Sequence, residues 1–326
     1  MRVLVTSKSF GHAAPEALDL LAANGIEVVR GSRPSLSAAE IAAEIPGFDA
    51  LVVGNDPVDA GVLAAGDRLR LVHMHGTGLD AIDIPAATAR GVLVANAPGA
   101  NRNAVAELTV ALMLVAARSI DRHIDILRSG RWERTPGHEI SGKTVGILGL
   151  GQIGRRIVEL LSGFGVRTVA FDVAPDRDWA ARNGVTLAAG ADEVCAEADF
   201  VVLALSLNAQ TRSFIGARRL GLMKRGSYLI NTARGGLVDE AALCAALRDK
   251  AIAGAAIDVF DPEPLPPDSP LRHSGATLTP HLAATSVESA GNVSRIVARN
   301  VVDVLLHGRA ACAVNPQALA RRLEET

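Results

Sequence analysis

Short runs of β-branched and aliphatic residues alternate with helical patterns along almost the whole chain. In the first part of the chain, these runs predict strands at Val3–Thr6, Ile26–Arg30, Ala50–Val53, Leu71–Met74 and Val92–Ala95. A second series begins at Lys143 and predicts strands at Thr144–Leu148, Thr168–Phe171, Phe200–Leu205, Ser227–Asn231, Gly254–Asp258 and Thr277–Thr279. Strands that alternate with helices form parallel sheets with helices on both faces. The alternation therefore predicts an α/β fold built from doubly wound parallel sheets.

The two series of strands predict two domains, which also fits a length of 326 residues. Residues 96–101, a segment with proline and glycine, separate the two series. The last predicted helix, Val287–His307, follows a second sheet that is already complete, so we expect it to return to the first domain. We expect one domain of residues 1–98 plus 285–326 and another of residues 99–284, with a ligand-binding cleft between them.

One long helix is predicted over Asn103–Leu127, directly after the separating segment. Between Ala104 and Ala117 this helix is apolar nearly all round, so it must be covered on more than one side. Two interpretations stay open at this point: a central helix in the core of one domain, or a helix shared between two subunits.

The charge balance argues against a nucleic-acid partner. Lys and Arg together number 33, Asp and Glu 35, and the net charge is −2. A protein that neutralises phosphates shows a clear basic excess, and this chain has none. Aromatic residues make up only 3% of the chain, which argues against base-stacking surfaces. We therefore expect a small-molecule ligand.

The cysteines and the apolar segments predict a cytoplasmic protein. Cys195, Cys244 and Cys312 are far apart and odd in number, which disfavours a disulfide framework. The N-terminus shows no secretion signal, and the stretch Ala104–Ala117 is too short to cross a bilayer. We expect no membrane partner, and no metal site is predicted.

A glycine motif, Gly149-Leu150-Gly151-Gln152-Ile153-Gly154, follows the predicted strand Thr144–Leu148 and opens a predicted helix, Ile153–Gly163. In this motif Gly149 permits a tight turn and Gly151 lets a pyrophosphate approach the backbone. Gly154 permits close packing of helix on strand. The helix N-terminus faces the phosphate charge. The motif in this setting predicts dinucleotide binding, and the alternative is a tight turn without a ligand.

Asp172 supports the dinucleotide interpretation because it ends the next strand, 23 residues after Gly149. Its carboxylate can accept hydrogen bonds from the adenosine ribose hydroxyls and would repel a 2′-phosphate. Asp172 therefore favours NAD over NADP, a preference that the neighbouring Arg177 weakens.

Three later loops carry polar residues where predicted strands end. They contain Arg234, Glu263 and His281. Ligands of doubly wound sheets bind beyond the carboxyl ends of the strands, so we expect these loops to line the cofactor site. Taken singly, each residue also fits a role without chemistry: a surface arginine, a solvated loop carboxylate and a turn histidine.

Taken together, the three side chains match the needs of a reaction between a 2-hydroxy acid and a 2-keto acid. Arginine holds a carboxylate with a planar fork. Histidine can donate or accept the hydroxyl proton. A carboxylate behind the imidazole fixes its tautomer and favours its protonated form.

The chain resembles the D-isomer-specific 2-hydroxyacid dehydrogenases, nearest to their phosphoglycerate dehydrogenase branch. The segments that carry the resemblance cover most of the chain and are Gly76–Asp80, 96–107, Arg131–Arg134, Gly149–Gly154, Asn231–Gly236, Asp261–Pro264 and Pro280–Ser286. The resemblance implies two Rossmann-like domains, with a substrate domain formed by both ends of the chain. It also implies a homodimer with the long helix at the interface.

The resemblance implies a role for each matching residue. Arg234 is expected to bind the substrate carboxylate and carbonyl, His281 to act as acid and base, and Glu263 to pair with His281. Thr77 and Gly78 are expected to offer backbone N–H groups to the substrate carboxylate. The expected NAD-binding residues are Gly149, Gly151, Gln152, Ile153, Gly154, Asp172, Thr232, Asp258 and His281, with Thr232 and Asp258 on the nicotinamide side.

Two departures from the phosphoglycerate dehydrogenase pattern widen the expected substrate range. Where that branch has an arginine before the Gly76–Asp80 segment, this chain has His73-Met74-His75, and Arg102 and Arg134 are the candidates to replace the charge. No regulatory domain is expected. Glyoxylate and hydroxypyruvate are therefore expected substrates beside 3-phosphoglycerate. The competing hypotheses are an NAD-sensing, corepressor-like interaction protein and a dehydrogenase of formate or phosphite.

Overall fold

The computed structural model describes residues 1–33, 35–309 and 312–319. It contains two compact units. Unit 1 comprises Met1–Asn101 and the C-terminal residues from Thr285 onward, and unit 2 comprises Arg102–Ala284. Each unit is an α/β domain with one parallel sheet, as the alternating pattern predicts. The assignment of substrate binding to one unit and cofactor binding to the other remains a prediction.

Unit 1 has a sheet of five strands in the order β2-β1-β3-β4-β5, and all the neighbours are parallel. The strands are β1 (Arg2–Val5), β2 (Glu27–Arg30), β3 (Ala50–Val53), β4 (Leu71–Met74) and β5 (Leu93–Ala95). The helices are α1 (Glu16–Ala23), α2 (Ala38–Glu44), α3 (Ala60–Ala65), α4 (Ile84–Ala89) and α12 (Val287–His307). This strand order is one of the two common doubly wound orders.

Helix α12 belongs to unit 1 although it comes last in the chain. It packs against α1, and its buried Val297 and Val301 share a core with Val3 and Val5 of β1. Arg70 donates hydrogen bonds to the carbonyls of Val304 and Leu305 near the helix C-terminus. Unit 1 therefore needs both ends of the sequence to close its core.

A segment after α12 covers the outer edge of β5. Ala313 forms an antiparallel bridge with Ala95. The fully buried Asn315 accepts a hydrogen bond from Val94 N–H, and its amide donates to the Val92 carbonyl. These bonds occupy backbone groups that an edge strand would otherwise leave unpaired.

Unit 2 has a sheet of seven parallel strands in the order β12-β11-β10-β9-β6-β7-β8. The strands are β6 (Thr144–Leu148), β7 (Arg167–Phe171), β8 (Val185–Leu187), β9 (Phe200–Leu203), β10 (Tyr228–Asn231), β11 (Gly254–Ile257) and β12 (Thr277–Leu278). The helices are α5 (Arg102–Arg118), α6 (Ile120–Arg128), α7 (Gln152–Leu161), α8 (Arg177–Arg182), α9 (Ala191–Glu197), α10 (Ala217–Leu222) and α11 (Glu240–Arg248). The chain winds outward from β6 in both directions, which is the Rossmann arrangement with an added strand.

The prediction of one continuous helix over Asn103–Leu127 is wrong. The chain breaks at Ser119, whose φ is 48°, and α5 and α6 meet at a bend of 62°. Helix α5 is buried along Thr109 and Met113 against the sheet of unit 2, so it is a core helix of that unit. Helix α6 is mostly polar, and Ile126 is its one buried residue, so this helix contributes little to the core of unit 2.

Among the residues that the structure describes, no single helix is long and apolar enough to cross a membrane. Helices α5 and α6 pass that test of length and composition only when they are taken together.

Candidate active site

The glycine motif forms a tight turn between β6 and α7. Gly149 has a φ of +102°, and a Cβ atom there would lie 2.5 Å from the Ala204 carbonyl oxygen. A Cβ atom on Gly154 would lie 2.0 Å from the Gly149 carbonyl oxygen. Gly151 has open space where a Cβ atom would stand. The first and last glycines are therefore needed by the turn itself, and the middle one leaves the backbone accessible.

Helix α7 presents an uncapped N-terminus at this turn. Its N-cap residue is Gly151, which has no side chain to bond the first N–H groups. These groups, on Gln152 and Ile153, lack acceptors within the helix, as in any helix. A cavity of about 500 Å³ adjoins the turn, lined by Arg102, Asn103, Gln152, Arg155, Arg156 and Glu159. Free N–H groups and nearby guanidinium groups suit a phosphate group.

Asp172 lies at the end of β7, beside the glycine turn. One carboxylate oxygen accepts a hydrogen bond from Leu150 N–H at 2.7 Å, and the other accepts from Ala174 N–H at 2.9 Å. A carboxylate has about four acceptor positions, so it retains capacity for two hydroxyl donors. The turn, the open helix end and Asp172 therefore fit a dinucleotide with a free ribose diol.

His281 and Glu263 form a direct side-chain contact in unit 2. His281 Nδ1 lies 2.6 Å from Glu263 Oε2, and both side chains are about one-third exposed. The other oxygen of Glu263 accepts a hydrogen bond from Phe260 N–H at 2.9 Å. Burial alone would raise the pKa of Glu263, but hydrogen bonds from His281 and Phe260 and the charge of Arg234 lower it below its ordinary value. Glu263 is therefore an ionised partner that orients the imidazole.

Asp258 holds the loop that carries His281. It is fully buried, and its carboxylate accepts hydrogen bonds from the Thr279 hydroxyl and from the N–H groups of Leu282 and Ala283. The Asp258 carbonyl accepts from His281 N–H at 2.8 Å. These bonds maintain His281 at a φ of +53°, which non-glycine residues rarely adopt. This organising role is not visible from the sequence, where Asp258 is only a polar residue at a strand end.

Arg234 follows β10 in a loop that lies directly against the loop after β11. Asn231 donates from its side chain to the Arg234 carbonyl, and its amide oxygen accepts from Ala233 N–H. A Cβ atom on Gly235 would lie 2.0 Å from the carbonyl carbon of Phe260, so only glycine fits there. The structure thus brings Arg234, Glu263 and His281 together on neighbouring loops at one edge of the sheet.

Thr232 is buried, and its hydroxyl lies 2.7 Å from that of Thr109 on α5. This bond fastens the loop after β10 to the core helix. The roles of Thr232 and Asp258 beside the nicotinamide remain predictions.

Thr77 and Gly78 lie in unit 1, in the loop that follows β4. Asn96 donates from its side chain to the Thr77 carbonyl at 2.7 Å. The side chain of Asn101 donates to the Thr77 hydroxyl at 3.4 Å. Two asparagines of the segment after β5 therefore hold this loop, a role that the sequence spacing did not show.

The two histidines that flank Met74 in unit 1 are not cations near neutral pH. Burial lowers the pKa of His73 to about 4. Burial, followed by the charges of His73 and Arg30, lowers the pKa of His75 to about 4. His75 lies between the hydroxyls of Ser9 and Ser294. His73 and His75 therefore do not replace the positive charge of the arginine that the phosphoglycerate dehydrogenase pattern has before the Gly76–Asp80 segment.

Comparison with known proteins identifies relatives over most of the chain. Residues 110–283 match the sequence model of the D-isomer specific 2-hydroxyacid dehydrogenase NAD binding domain. A D-3-phosphoglycerate dehydrogenase of Archaeoglobus fulgidus is 37% identical over 93% of this chain and 57% of its own length. A glyoxylate reductase of Thermofilum pendens is 37% identical over 88% of this chain and 87% of its own length. This chain thus spans little more than half of the first relative and most of the second.

Solved structures show the same architecture. The TT0316 protein from Thermus thermophilus is 34% identical, with a TM-score of 0.87 over 96% of this chain and 100% of its own. A glyoxylate reductase from Paecilomyes thermophila is 28% identical, with a TM-score of 0.85 over 97% of this chain and 99% of its own.

Proposed function

Because this chain belongs to the D-isomer-specific 2-hydroxyacid dehydrogenase family, we propose that it is an NAD-dependent oxidoreductase that interconverts a D-2-hydroxy acid and its 2-keto acid. The observation that carries this proposal is the contact of 2.6 Å between His281 Nδ1 and Glu263 Oε2. It gives the loop cluster an oriented imidazole at the edge where ligands of such sheets bind.

His281 acts as the acid in reduction and as the base in oxidation. The hydrogen bond to Glu263 occupies Nδ1, so Nε2 is the ring nitrogen that exchanges a proton with the substrate oxygen. In reduction the imidazolium form donates the proton. In oxidation the neutral imidazole accepts the hydroxyl proton.

Arg234 binds the substrate carboxylate and stabilises charge that develops on the carbonyl oxygen. The N–H groups of Thr77 and Gly78, whose loop Asn96 and Asn101 hold within unit 1, are proposed as donors to a substrate carboxylate. By holding the carboxylate, Arg234 fixes the 2-carbon of the acid before proton exchange with His281.

The glycine turn and Asp172 bind NAD. The N–H groups of Gln152 and Ile153 contact the pyrophosphate, Asp172 accepts from the ribose hydroxyls, and Thr232 and Asp258 lie on the nicotinamide side. When bound, the cofactor would supply the hydride as NADH in reduction and accept it as NAD⁺ in oxidation. The carboxylate of Asp172 would repel a 2′-phosphate, so NAD is preferred to NADP.

The neutral histidines beside Met74 favour a small 2-keto acid without a phosphate group. Neither His73 nor His75 supplies positive charge, and both are engaged in hydrogen bonds within unit 1. We therefore place glyoxylate and hydroxypyruvate before 3-phosphohydroxypyruvate as substrates.

We propose that the active form is a homodimer, and the exposed surface of unit 2 supports this proposal. Ile124 and Leu127 of α6 and the following Trp132 are exposed by 44%, 60% and 81%, an unusual concentration of large apolar side chains. Light scattering coupled to size-exclusion chromatography should give twice the chain mass, and a monomer would contradict this proposal.

A panel of 2-keto acids tests the activity. Oxidation of NADH is followed with glyoxylate, hydroxypyruvate, 2-ketobutyrate, phenylpyruvate and 3-phosphohydroxypyruvate, and each reaction is repeated with NADPH. We expect turnover with the small acids and a preference for NADH. Absence of turnover with every acid would refute the proposal. Stable capture of a protein partner would then favour the corepressor-like function, and oxidation of formate or phosphite would favour the other alternative.

A further inference from the structure

An ion pair outside the Arg234, Glu263 and His281 group joins two of the loops at the same sheet edge. Arg212 lies in the segment after β9, and its guanidinium donates to the Asp261 carboxylate at 2.7 Å. Asp261 lies two residues before Glu263 in the loop after β11. Both side chains are about half exposed, so the pair contributes little to the stability of the fold.

The ion pair also lies against the loop that carries Arg234. A Cβ atom on Gly236 would lie 3.1 Å from Asp261 Oδ2 and 3.2 Å from the Arg212 guanidinium. Ser213 N–H, next to Arg212, donates to the Gly236 carbonyl at 2.8 Å. Three loops, those after β9, β10 and β11, therefore meet at this ion pair.

A second contact fixes Asp261 from the other side. Its N–H donates to Glu240 of α11 at 3.0 Å. The pKa of Glu240 is raised, because burial and the neighbouring charge of Asp261 outweigh the hydrogen bond. Asp261 is thus held at both its side chain and its backbone. Two residues later, one oxygen of Glu263 accepts a hydrogen bond from Phe260 N–H and the other contacts His281 Nδ1.

We propose that Arg212 is a positioning residue for the reaction: through Asp261 it sets the Glu263 loop against the Arg234 loop and so aligns Glu263 with His281. This inference rests on the proposed 2-keto acid reduction for its kinetic consequence. It assigns no contact between Arg212 and substrate or cofactor. Loss of the ion pair lets the Glu263 loop shift, and small displacements at a reacting group are costly to turnover.

Four variants test the inference: Arg212→Ala, Arg212→Lys, Asp261→Asn and the combination of Arg212→Ala with Asp261→Asn. We expect Arg212→Ala to lower kcat about 10-fold, with the Kd of NADH and the melting temperature nearly unchanged. Asp261→Asn removes the negative charge of the pair and should act in the same direction, and the double variant should lose no more than Arg212→Ala, because both changes act on one interaction. Arg212→Lys retains the charge and should restore most of kcat.

The matched control is Arg218→Ala, which removes an equally exposed ion pair, with Asp192, on another part of unit 2. It should leave kcat unchanged. A second readout does not need turnover: the Nδ1 proton of His281, detected by NMR with labelled histidine, should resonate far downfield in the wild type. In Arg212→Ala this signal should move upfield or vanish through exchange.

Two outcomes overturn the inference: a wild-type kcat together with an unshifted His281 proton in Arg212→Ala, or a loss of NADH affinity equal to the loss of kcat. The second would make Arg212 a cofactor-binding residue. An inactive wild type would refute the proposed function instead, and the His281 signal would still decide the role of Arg212.

Discussion

Acid should destabilise unit 1 through one fully buried imidazole. His73 on β4 has no exposed surface. Its Nδ1 faces the Met74 carbonyl at 2.8 Å, so Nδ1 carries the hydrogen and Nε2 accepts from Asn300 at 2.9 Å. A second proton on Nε2 would replace that acceptor with a donor and bury a positive charge. The folded chain therefore requires the neutral ring.

The size of the effect follows from the pKa of His73. Burial lowers this pKa from 6.5 to about 4. Between these values the unfolded chain binds a proton that the folded chain does not, so the free energy of unfolding falls as the pH falls. This difference between the pKa of His73 in the unfolded and in the folded chain corresponds to about 3 kcal/mol of unfolding free energy lost between pH 7 and pH 4.

The assay is urea unfolding, followed by circular dichroism at several pH values from 7 to 4. In His73→Gln the loss of unfolding free energy over this range should be smaller than in the wild type by about 3 kcal/mol. Part of the pH dependence should persist, because His75 has its own lowered pKa. The exposed His12 provides the control, and His12→Gln should follow the wild-type curve.

An equal pH dependence in His73→Gln and the wild type would refute the reasoning. If His73→Gln lowered the unfolding free energy by the same amount at every pH, the result would likewise show that His73 contributes by packing and not by its protonation.

The remaining predictions concern the site. His281→Ala should lower kcat about 10²- to 10⁴-fold in NADH-oxidation assays, and turnover close to that of the wild type would exclude His281 as the acid. Arg234→Ala should chiefly raise the KM of keto acids, about 10- to 100-fold, whereas an unchanged KM would show that the carboxylate binds elsewhere. Asp172→Ala should improve the use of NADPH relative to NADH, measured as the ratio of the two kcat/KM values, and a constant ratio would contradict its role. Gly154→Ala should abolish NADH binding in fluorescence titrations, because the added Cβ meets the Gly149 carbonyl at 2.0 Å; Gly163→Ala, with open space around the added atom, is its control.

Much of the sheet was predictable because its strands are buried and have clear ends. Ala50–Val53, Leu71–Met74 and Thr144–Leu148 have the predicted limits, since each is a short, mainly apolar run bounded by polar or glycine residues. The edge strand Val185–Leu187 was missed, because three residues, of which only Val185 is buried, make no distinct pattern. The break at Ser119 was also missed, since neither proline nor glycine marks it and the apolar pattern continues past it.

The site residues were predictable where the residue type and its motif indicate the chemistry. They were not predictable where the role of a residue depends on a tertiary contact. The glycine turn and Asp172 stand at fixed distances along the chain, so local geometry determines their contact. Arg212 and Asp261 are 49 residues apart, and only the order of the strands makes them neighbours. Asp258 poses the same difficulty, because its three hydrogen-bond donors all come from a loop that follows another strand.

The discontinuity of unit 1 has a consequence for synthesis on the ribosome. Unit 2 is one continuous segment, Arg102–Ala284, whereas the core of unit 1 lacks α12 until all of unit 2 has been translated. At cellular elongation rates this interval lasts roughly 10 to 40 s. During that time the apolar face of β1 and α1, including Val3 and Leu21, has no helix to cover it. We expect nascent chains to be most prone to aggregate, and to bind chaperones most strongly, before residues 287–307 emerge.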